Sequence, residues 1–592
     1  MSNLLSQASL VMIPSGYKED VVYSQIPTSG AGDLSFTRAS NGTRINSAGL
    51  VEVCPWNLAQ YSEDLSNAVW TKLAATITTN ATTAPNGTTT ADKLIEDTTN
   101  NLHRVGQGGI TIETNQVYTF SFYAKAGERN ELELQRINTS GTVFNSISST
   151  TVNLALGTII VGSNVTNSSI QSVGDGWYKI SVSLTAIASG SGGLNIGLVK
   201  DGNLSYLGNG TSGAYIWGFQ VNIGSTAKPY FPTTDRLNVP RLTYQNGGGG
   251  CPSLLLEKQS TNLVTYSEDF TQTPWTKGDV TIISNNTISP DGTQNADKFI
   301  LDATNSGHII YQSIPNQNSG YYTVSCYVKY GNVRYFSTRS QTGGVVSATQ
   351  FYDLQNGVVV GGSSDANITS VGNGWYQITL KCLSSNSTDV QYIVHCFTTS
   401  STSETCTSDG SLYGYIWGAQ AEASSYPTSY IPTTTSSATR VADTGTTSLS
   451  SSIVNASEGV LFLDYQPLNV VDAYPVDFQL QYNGSNAVNG VTIYHDGSTP
   501  AVTVRSGGTT IFSAFLTATT AGTRNKIALA YKGSDYAVYQ NGVQKATQSS
   551  GVAPAALNEL RLSDGNRNFS INEALVFPTR LTNAELASLT TI

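Results

Sequence analysis

The side chains with the most capacity for chemistry in this chain are aromatic, and they come in pairs. The segment NLAQYSEDLSNAVWTK from Asn57 is matched by NLVTYSEDFTQTPWTK from Asn262. The offset is 205 (262 − 57), and it aligns Trp70 with Trp275, Asp92 with Asp297 and His103 with His308. Further on, VGDGWYKIS meets VGNGWYQIT and aligns Trp177 with Trp375; AYIWGFQV meets GYIWGAQA and aligns Trp217 with Trp417. An aromatic face packs on the C–H groups of a pyranose, so each pair is a candidate sugar platform. Trp177, Trp217, Trp375 and Trp417 sit within apolar, strand-like patterns and are assigned to the core. Trp70 and Trp275 follow polar loops and stand as carbohydrate-binding candidates. Trp56 has no counterpart and is expected at a domain junction.

Other reactive residue types are not grouped for catalysis. Glycoside hydrolysis needs two carboxylates about 5–10 Å apart across one bond. Glu63–Asp64 and Glu268–Asp269 repeat, but neighbours on a strand point to opposite faces. Ser62 or Asp64 is expected to cap a turn instead. His103 and His308 precede strand-like runs with no partners nearby and read as satisfied structural histidines. A structural calcium at Asp92 or Asp97 is the one ion to consider, since jelly rolls often carry one; no other cofactor is expected. There is no GxSxG, P-loop or HExxH. The six cysteines form no CxxC and the four histidines are scattered, which argues against zinc. Cys326, Cys382 and Cys396 lie in alternating runs and read as buried thiols. The chain therefore reads as non-enzymatic.

The elements that must position these residues are strands. VYTFSFYAKAG from Val117 and YYTVSCYVKYG from Tyr321 alternate with period two, as half-buried strands do. WYKISVSLTA and WYQITLKCLS do the same after the Gly-rich turns GDG and GNG. Such runs, with turn signals between them, predict a β-sandwich or jelly roll for each copy. From about Thr446 the pattern changes to a third set of strand-like runs. Asn541-Gly542 there predicts a tight hairpin. FPTRLTNAELASL is the one convincing helix, capped by Thr582 or Asn583, with Leu586 and Leu589 on one face. His495-Asp496-Gly497 and Asn541-Gly542 mark loops beside Tyr-bearing strands, so Tyr494, Asp496 and Asn541 are further candidates for sugar contact.

Composition agrees. Over 592 residues only 12% are charged, while 39% are hydrophobic, with 31 Tyr and 7 Trp. Ser, Thr, Asn and Gly fill the deficit, giving a surface wetted by hydroxyls and amides rather than ions. The net charge of −10 and the lack of any Lys/Arg cluster argue against nucleic acid. No apolar run nears the roughly 20 residues that span a bilayer. The first twenty residues lack the basic start and apolar core of a signal peptide, so exposure outside the cell is expected through lysis or on a particle.

The motif set NLxxYSEDFxxxxWTK, SPDGTxxADK (here APNGTTTADK and SPDGTQNADK), GWY, YIWGAQ and YIPTT resembles a module of many phage structural proteins, similar in style to carbohydrate-binding jelly rolls. The first copy departs from it with Leu65 where Phe270 stands. The opening ASLVMIPSGYKEDVVYSQIPTSGAGDLSFTRASNGTRINSAGLVE, with the bridge PRLTYQNGGGGCPSLLLEKQSTNL, resembles head-fibre and tail-fibre leaders of phages of Bacteroidetes, including crAss-like phages. The C-terminal part resembles a laminin-G or concanavalin-like sandwich.

The resemblance implies an all-β virion protein with an attachment segment (1–53), a jelly roll (54–232), a linker (233–250), a second jelly roll (251–432), a linker (433–445) and a lectin-like sandwich (446–592). It implies a surface fibre or spike of head, collar or tail, made in the host cytoplasm and placed on the virion surface. Its expected partners are other virion proteins, through the N-terminal segment, and host surface polysaccharide, bound without cleavage. A dimer or trimer is expected, as fibres are symmetric. The alternatives are a capsid decoration protein without ligand and a glycan depolymerase.

Overall fold

The computed structural model describes residues 2–147, 150–244, 248–315, 320–342, 345–384, 391–469 and 473–592. It is antiparallel β-structure nearly throughout, as the excess of Thr, Val, Ile and Tyr over helix formers dictates. The chain divides into two compact units, Pro55–Arg236 and Met1–Cys54 with Leu237–Ile592.

The first unit is one sandwich of two six-stranded sheets. One sheet runs in the order Thr158–Ile160, Thr150–Asn153, Glu131–Ser140, Gly190–Val199, Arg104–Ile112, Trp70–Leu73. The other runs Val165–Gly174, Trp177–Thr185, Val117–Ala126, Gly213–Ile223, Ala91–Glu96, Ala75–Thr82. Tyr118, Phe120, Phe122 and Ala124 alternate along one central strand and fill the core.

The second repeat, in the other unit, has the same order in both sheets. They run Val358–Val359, Val345–Asp353, Tyr335–Thr342, Gln391–Thr398, Ile309–Ile314, Thr276–Gly278, and Ala366–Gly372, Trp375–Ser384, Gly320–Tyr330, Tyr413–Glu422, Ala296–Leu301, Val280–Thr287. Trp177 lies opposite Lys125, and Trp375 opposite Lys329. Even the register shift in the central strand recurs, at Ser121/Tyr123 and Ser325/Tyr327.

Repeated polar residues fix the loops. The carboxylate of Asp297 accepts the backbone N–H groups of Phe270 and Asn285 at 2.9 and 3.0 Å. Asp92 does the same for Leu65 and Asn80 at 2.8 and 3.0 Å. Both carboxylates are thus committed to backbone rather than set out as calcium ligands. Removing one strands two inward-facing N–H donors. We expect Asp297→Ala to destabilise the second sandwich by about 2–6 kcal/mol, at roughly 1–3 kcal/mol per donor, and Asp92→Ala to do likewise in the first. Urea midpoints of the two variants measure it, and a shift within error of zero would refute the role.

The third sandwich is discontinuous in sequence. Its eight-stranded sheet contains Arg241–Thr243, Ser253–Leu256, Phe569–Phe577, Glu458–Pro467, Asn525–Lys532, Tyr536–Gln540 and Val543–Gln548, and Leu10–Met12 also pairs with Phe569–Phe577. Its nine-stranded sheet runs Tyr17–Lys18, Val21–Val22, Leu34–Thr37, Thr444–Ser448, Glu559–Leu562, Ala473–Tyr482, Ser485–Asp496, Thr499–Ser506, Thr509–Phe515. One core joins Leu10, Met12, Val22, Leu34 and Phe36 to Leu242, Leu254, Leu256 and the C-terminal strands. Along the sequence, both jelly rolls are insertions into this sandwich. Cys54, where the chain leaves, places its Sγ 3.5 Å from the carbonyl of Pro240, where it returns. Close ends of this kind are what make a domain insertion tolerable.

These connections correct the expected boundaries. Residues 1–53 form no separate core, as their few apolar residues require: their strands from Leu10–Met12 to Leu34–Thr37 are built into the C-terminal sandwich, and the hairpin Gly42–Ile45/Val51–Cys54 packs on the second jelly roll, so they are not a free attachment segment. Residues 233–250 and 433–445 are not free linkers either. Arg241–Thr243 pairs with Ser253–Leu256, so Gly248–Gly250 belong to a hairpin loop; Gly247 lies outside the described residues. Ala438–Arg440 pairs with Ser260–Asn262.

A buried charge network ties the pieces together. Arg38 donates to Asp443 Oδ1 at 2.8 Å, and Arg241 pairs with Asp443 Oδ2 and, at 2.7 Å, with Glu257. Arg440 reaches Glu257 at 3.1 Å. All five side chains are at most 2% exposed. The helix runs Asn583–Thr590 with Thr582 and Glu585 forming a capping box and Leu586 and Leu589 buried, as the sequence predicts. Asn541 (φ 51°) and Gly542 (φ 80°) make the predicted hairpin turn.

Candidate functional site

Most of the sequence candidates have structural work. Trp70 is 2% exposed, and its indole N–H donates to the Tyr61 carbonyl at 3.1 Å. Trp275 is 1% exposed and donates to the Tyr266 carbonyl at 3.0 Å. Each stacks in its own core, so neither is a sugar platform; the polar loop before each ring folds back and takes its N–H. Trp177, Trp217, Trp375 and Trp417 are buried, as expected. Trp56 is half-buried against Phe231, with ring centroids 5.0 Å apart.

The C-terminal trio does not converge. Tyr494 and Asp496 lie on the nine-stranded sheet, whereas Asn541 turns a hairpin of the eight-stranded one. The Asn541 side chain accepts the Lys526 N–H at 2.8 Å, and its backbone N–H donates to the Lys526 carbonyl at 3.0 Å, so it shapes that turn.

The repeated acids and histidines are likewise absorbed. Asp64 and Asp269 accept the backbone N–H two residues on, as turn caps. Glu63 and Glu268 accept the hydroxyls of Tyr230 and Tyr430 at 3.1 and 3.0 Å. His103 and His308 are buried, each with both ring nitrogens on backbone carbonyls. Asp97 accepts the backbone N–H and the hydroxyl of Thr99 in a turn. Among the described residues no group of three or more His, Cys, Asp or Glu could hold a metal ion.

What the sequence did not single out is a groove of about 590 Å³ on the second sandwich. One wall is the ribbon of Ser260–Asn262 and Ala438–Arg440, closed by Thr261 and Thr439 hydroxyls 2.8 Å apart. Gln259, Thr261, Thr265, Ser313 and Ser424 supply hydroxyls and an amide; Leu263, Pro274 and Pro315 supply an apolar floor. The Lys258 ammonium stands over the Tyr426 ring at 4.6 Å, at the groove's end. Gln312 is buried and clamps both backbone groups of Thr265, which holds the floor in place.

Among the described residues no Asp, Glu, His or Cys lines this groove. The acid beneath it, Glu422, is fully buried and accepts from Ser260, Thr428 and Gln420. Burial pushes its carboxyl above the ordinary range. A second groove of about 550 Å³, on the C-terminal sandwich, holds one carboxylate, Asp535, which is paired with Arg580 at 2.9 Å. Neither groove has the carboxylate pair that glycoside hydrolysis needs. Only the first fits a polyhydroxylated ligand on both counts, with C–H faces on Leu263, Pro274 and Pro315 and hydroxyls on hydroxyls and an amide; the second offers polar partners without an apolar floor.

One signal could have found the first groove. Where the second copy has Ser260, Thr261 and Ser424, the first has Pro55, Trp56 and Gly224. The repeats diverge there while their core anchors persist.

No protein-family model matches the chain, and no curated protein is similar to it. Solved structures resemble parts of it. The CBM40 of the Ruminococcus gnavus IT-sialidase, bound to alpha2,3 sialyllactose, is 16% identical over 23% of this chain and 84% of its own, with a TM-score of 0.21. A SAP-like pentraxin from Limulus polyphemus is 12% identical over 22% and 69%, with a TM-score of 0.18. The receptor binding domain of botulinum neurotoxin mosaic serotype C/D is 10% identical over 25% and 40%, with a TM-score of 0.22. At these values the likenesses assign neither family nor activity.

Proposed function

We propose that this chain binds glycan without cleaving it, from the surface of a phage particle, as a fibre or spike. The observation that carries the binding claim is the groove beside Ser260–Asn262, rich in hydroxyls and floored by Leu and Pro, with no carboxylate on its wall. The virion setting rests on the leader, bridge and module motifs of the sequence. The partner is host surface polysaccharide. A shallow groove with a few neutral contacts gives a weak single site, so attachment draws on several copies acting together.

The test uses the full chain, displayed multivalently, on immobilised host polysaccharide. We expect retention, no new reducing ends, and at least about tenfold weaker retention for Thr261→Trp, which puts a large ring into the groove. New reducing ends would overturn the non-enzymatic reading. Retention indifferent to Thr261→Trp would remove the groove, and no retention would favour a capsid decoration role.

A further inference from the structure

The two repeats share an aromatic face, and in the second a β-hairpin covers it. In the second sandwich Trp375, Trp417, Tyr327 and Tyr430 pack against Val51 and Ile45 of the β-hairpin Gly42–Ile45/Val51–Cys54. The hairpin tip is seated firmly: the Val51 N–H donates to the Pro290 carbonyl at 3.0 Å, and the Thr43 hydroxyl to the Tyr430 carbonyl at 2.5 Å. A methyl group placed on Gly292 would strike Leu50 Cδ1 at 2.7 Å. Tyr327 and Tyr430 are 5% and 4% exposed under this cover.

The first sandwich builds the same face from Trp177, Trp217, Tyr123 and Tyr230, with matching ring geometry. Tyr123–Trp217 and Tyr327–Trp417 centroids are both 5.2 Å apart, and Trp217–Tyr230 and Trp417–Tyr430 both 4.8 Å. Within this unit nothing among the described residues plays the part of the hairpin. Tyr123 and Tyr230 are only half-buried, and Val173, the counterpart of packed Val371, is 41% exposed. A methyl group on Gly87, the counterpart of Gly292, would meet nothing within 4 Å. The rim also differs: Lys179 stands where the second copy has Gln377, its ammonium 5.8 Å from the Tyr123 ring centroid.

We infer that this face of the first sandwich is a docking site for a β-hairpin with an aliphatic tip and a carboxylate, presented by a different protein chain. The second sandwich shows which chemistry fits the face: a Gly turn followed by two aliphatic residues, as in Gly49-Leu50-Val51. A second copy of this chain is not the occupant, because its own hairpin is already seated on its own second sandwich. Lys179 adds a preference for a carboxylate on the flank of the incoming hairpin; in the resident hairpin Glu52 is paired with Arg44 instead, at 2.9 Å.

The probe is a cyclised peptide with the sequence of residues 42–54, titrated into the full chain and followed by tryptophan fluorescence and calorimetry. The resident hairpin, tethered in cis, keeps the second face occupied. We expect one saturable equivalent. Val173→Arg, at an exposed position, should weaken binding at least about tenfold while leaving the circular dichroism unchanged. Lys179→Glu should weaken it less, and a peptide with Leu50→Asp and Val51→Asp should not bind. No saturation, or saturation indifferent to Val173→Arg, would overturn the site. So would a dimer in sedimentation that Val173→Arg dissolves, or polysaccharide retention that depends on Val173 without peptide binding.

Discussion

Residues 446–592, expressed alone, will not fold, while residues 55–236 will. The sequence presents the first stretch as a complete lectin-like domain, but the structure takes from it Leu10–Met12, Leu34–Thr37 and Ser253–Leu256. Eight core residues come from those outlying pieces: Leu10, Met12, Val22, Leu34, Phe36, Leu242, Leu254 and Leu256, each no more than 4% exposed. Burial of one such side chain stabilises by about 1.5–3 kcal/mol. Their joint loss, about 12–24 kcal/mol on that scale, matches or exceeds the roughly 5–15 kcal/mol by which a domain is stable. It also bares unpaired strand edges on Phe569–Phe577 and Thr444–Ser448, which invites aggregation. The first jelly roll has all its strands and its own core in one stretch. Thermal melts and proton NMR dispersion of the two fragments decide it; a cooperative melt from 446–592 would sink the nested architecture. By the same argument, deleting residues 1–54 unfolds the third sandwich instead of merely detaching the protein from a particle.

Asp443→Ala will be among the most damaging single substitutions. It leaves Arg38 with no ion-pair partner and Arg241 with Glu257 alone, inside a site that water does not reach. Breaking a buried pair from one side costs about 3–5 kcal/mol. The same network gives the fold an acid limit. Burial works against the Glu257 charge, but Arg440 and Arg241, with hydrogen bonds from Ser429, outweigh it and hold the carboxyl at about 2. An unfolded glutamate titrates near 4.3. Its folded value is the lower one, so its contribution is complete above about pH 5. It declines as pH falls through the window from about 4.3 to 2, and amounts to about 3 kcal/mol. Glu257→Gln should flatten that part of the stability–pH curve, measured by urea unfolding between pH 2 and 7. A wild-type slope unchanged by the substitution would show that other carboxylates set the limit.

Much of this protein follows from local chemistry and is legible along the chain. Period-two alternation marked the runs from Val117 and Tyr321 as strands; that they are central, and buried on both faces over much of their length, came only from the sheet order. The constant spacing of Trp, Asp and His anchors disclosed the duplication, because equivalent cores need equivalent residues. Asn541-Gly542 marked a hairpin and Thr582 or Asn583 a helix start, since positive φ and orphan N–H groups are satisfied within a few residues.

Tertiary structure alone decided the rest. Nothing local tells Leu10 or Leu254 that its strand neighbours lie near 570, because strand pairing carries no sequence code beyond alternation. An apolar segment too short for its own core can join any of three sandwiches. Exposure of Trp70 and Trp275 depended on whether the loops before them fold back. The groove beside Ser260 lies where the repeats diverge, but that Ser260, Thr261 and Ser424 share one groove is visible only once the strands are assembled. The aromatic residues are the same in both copies; what differs is that the second has a hairpin seated on them.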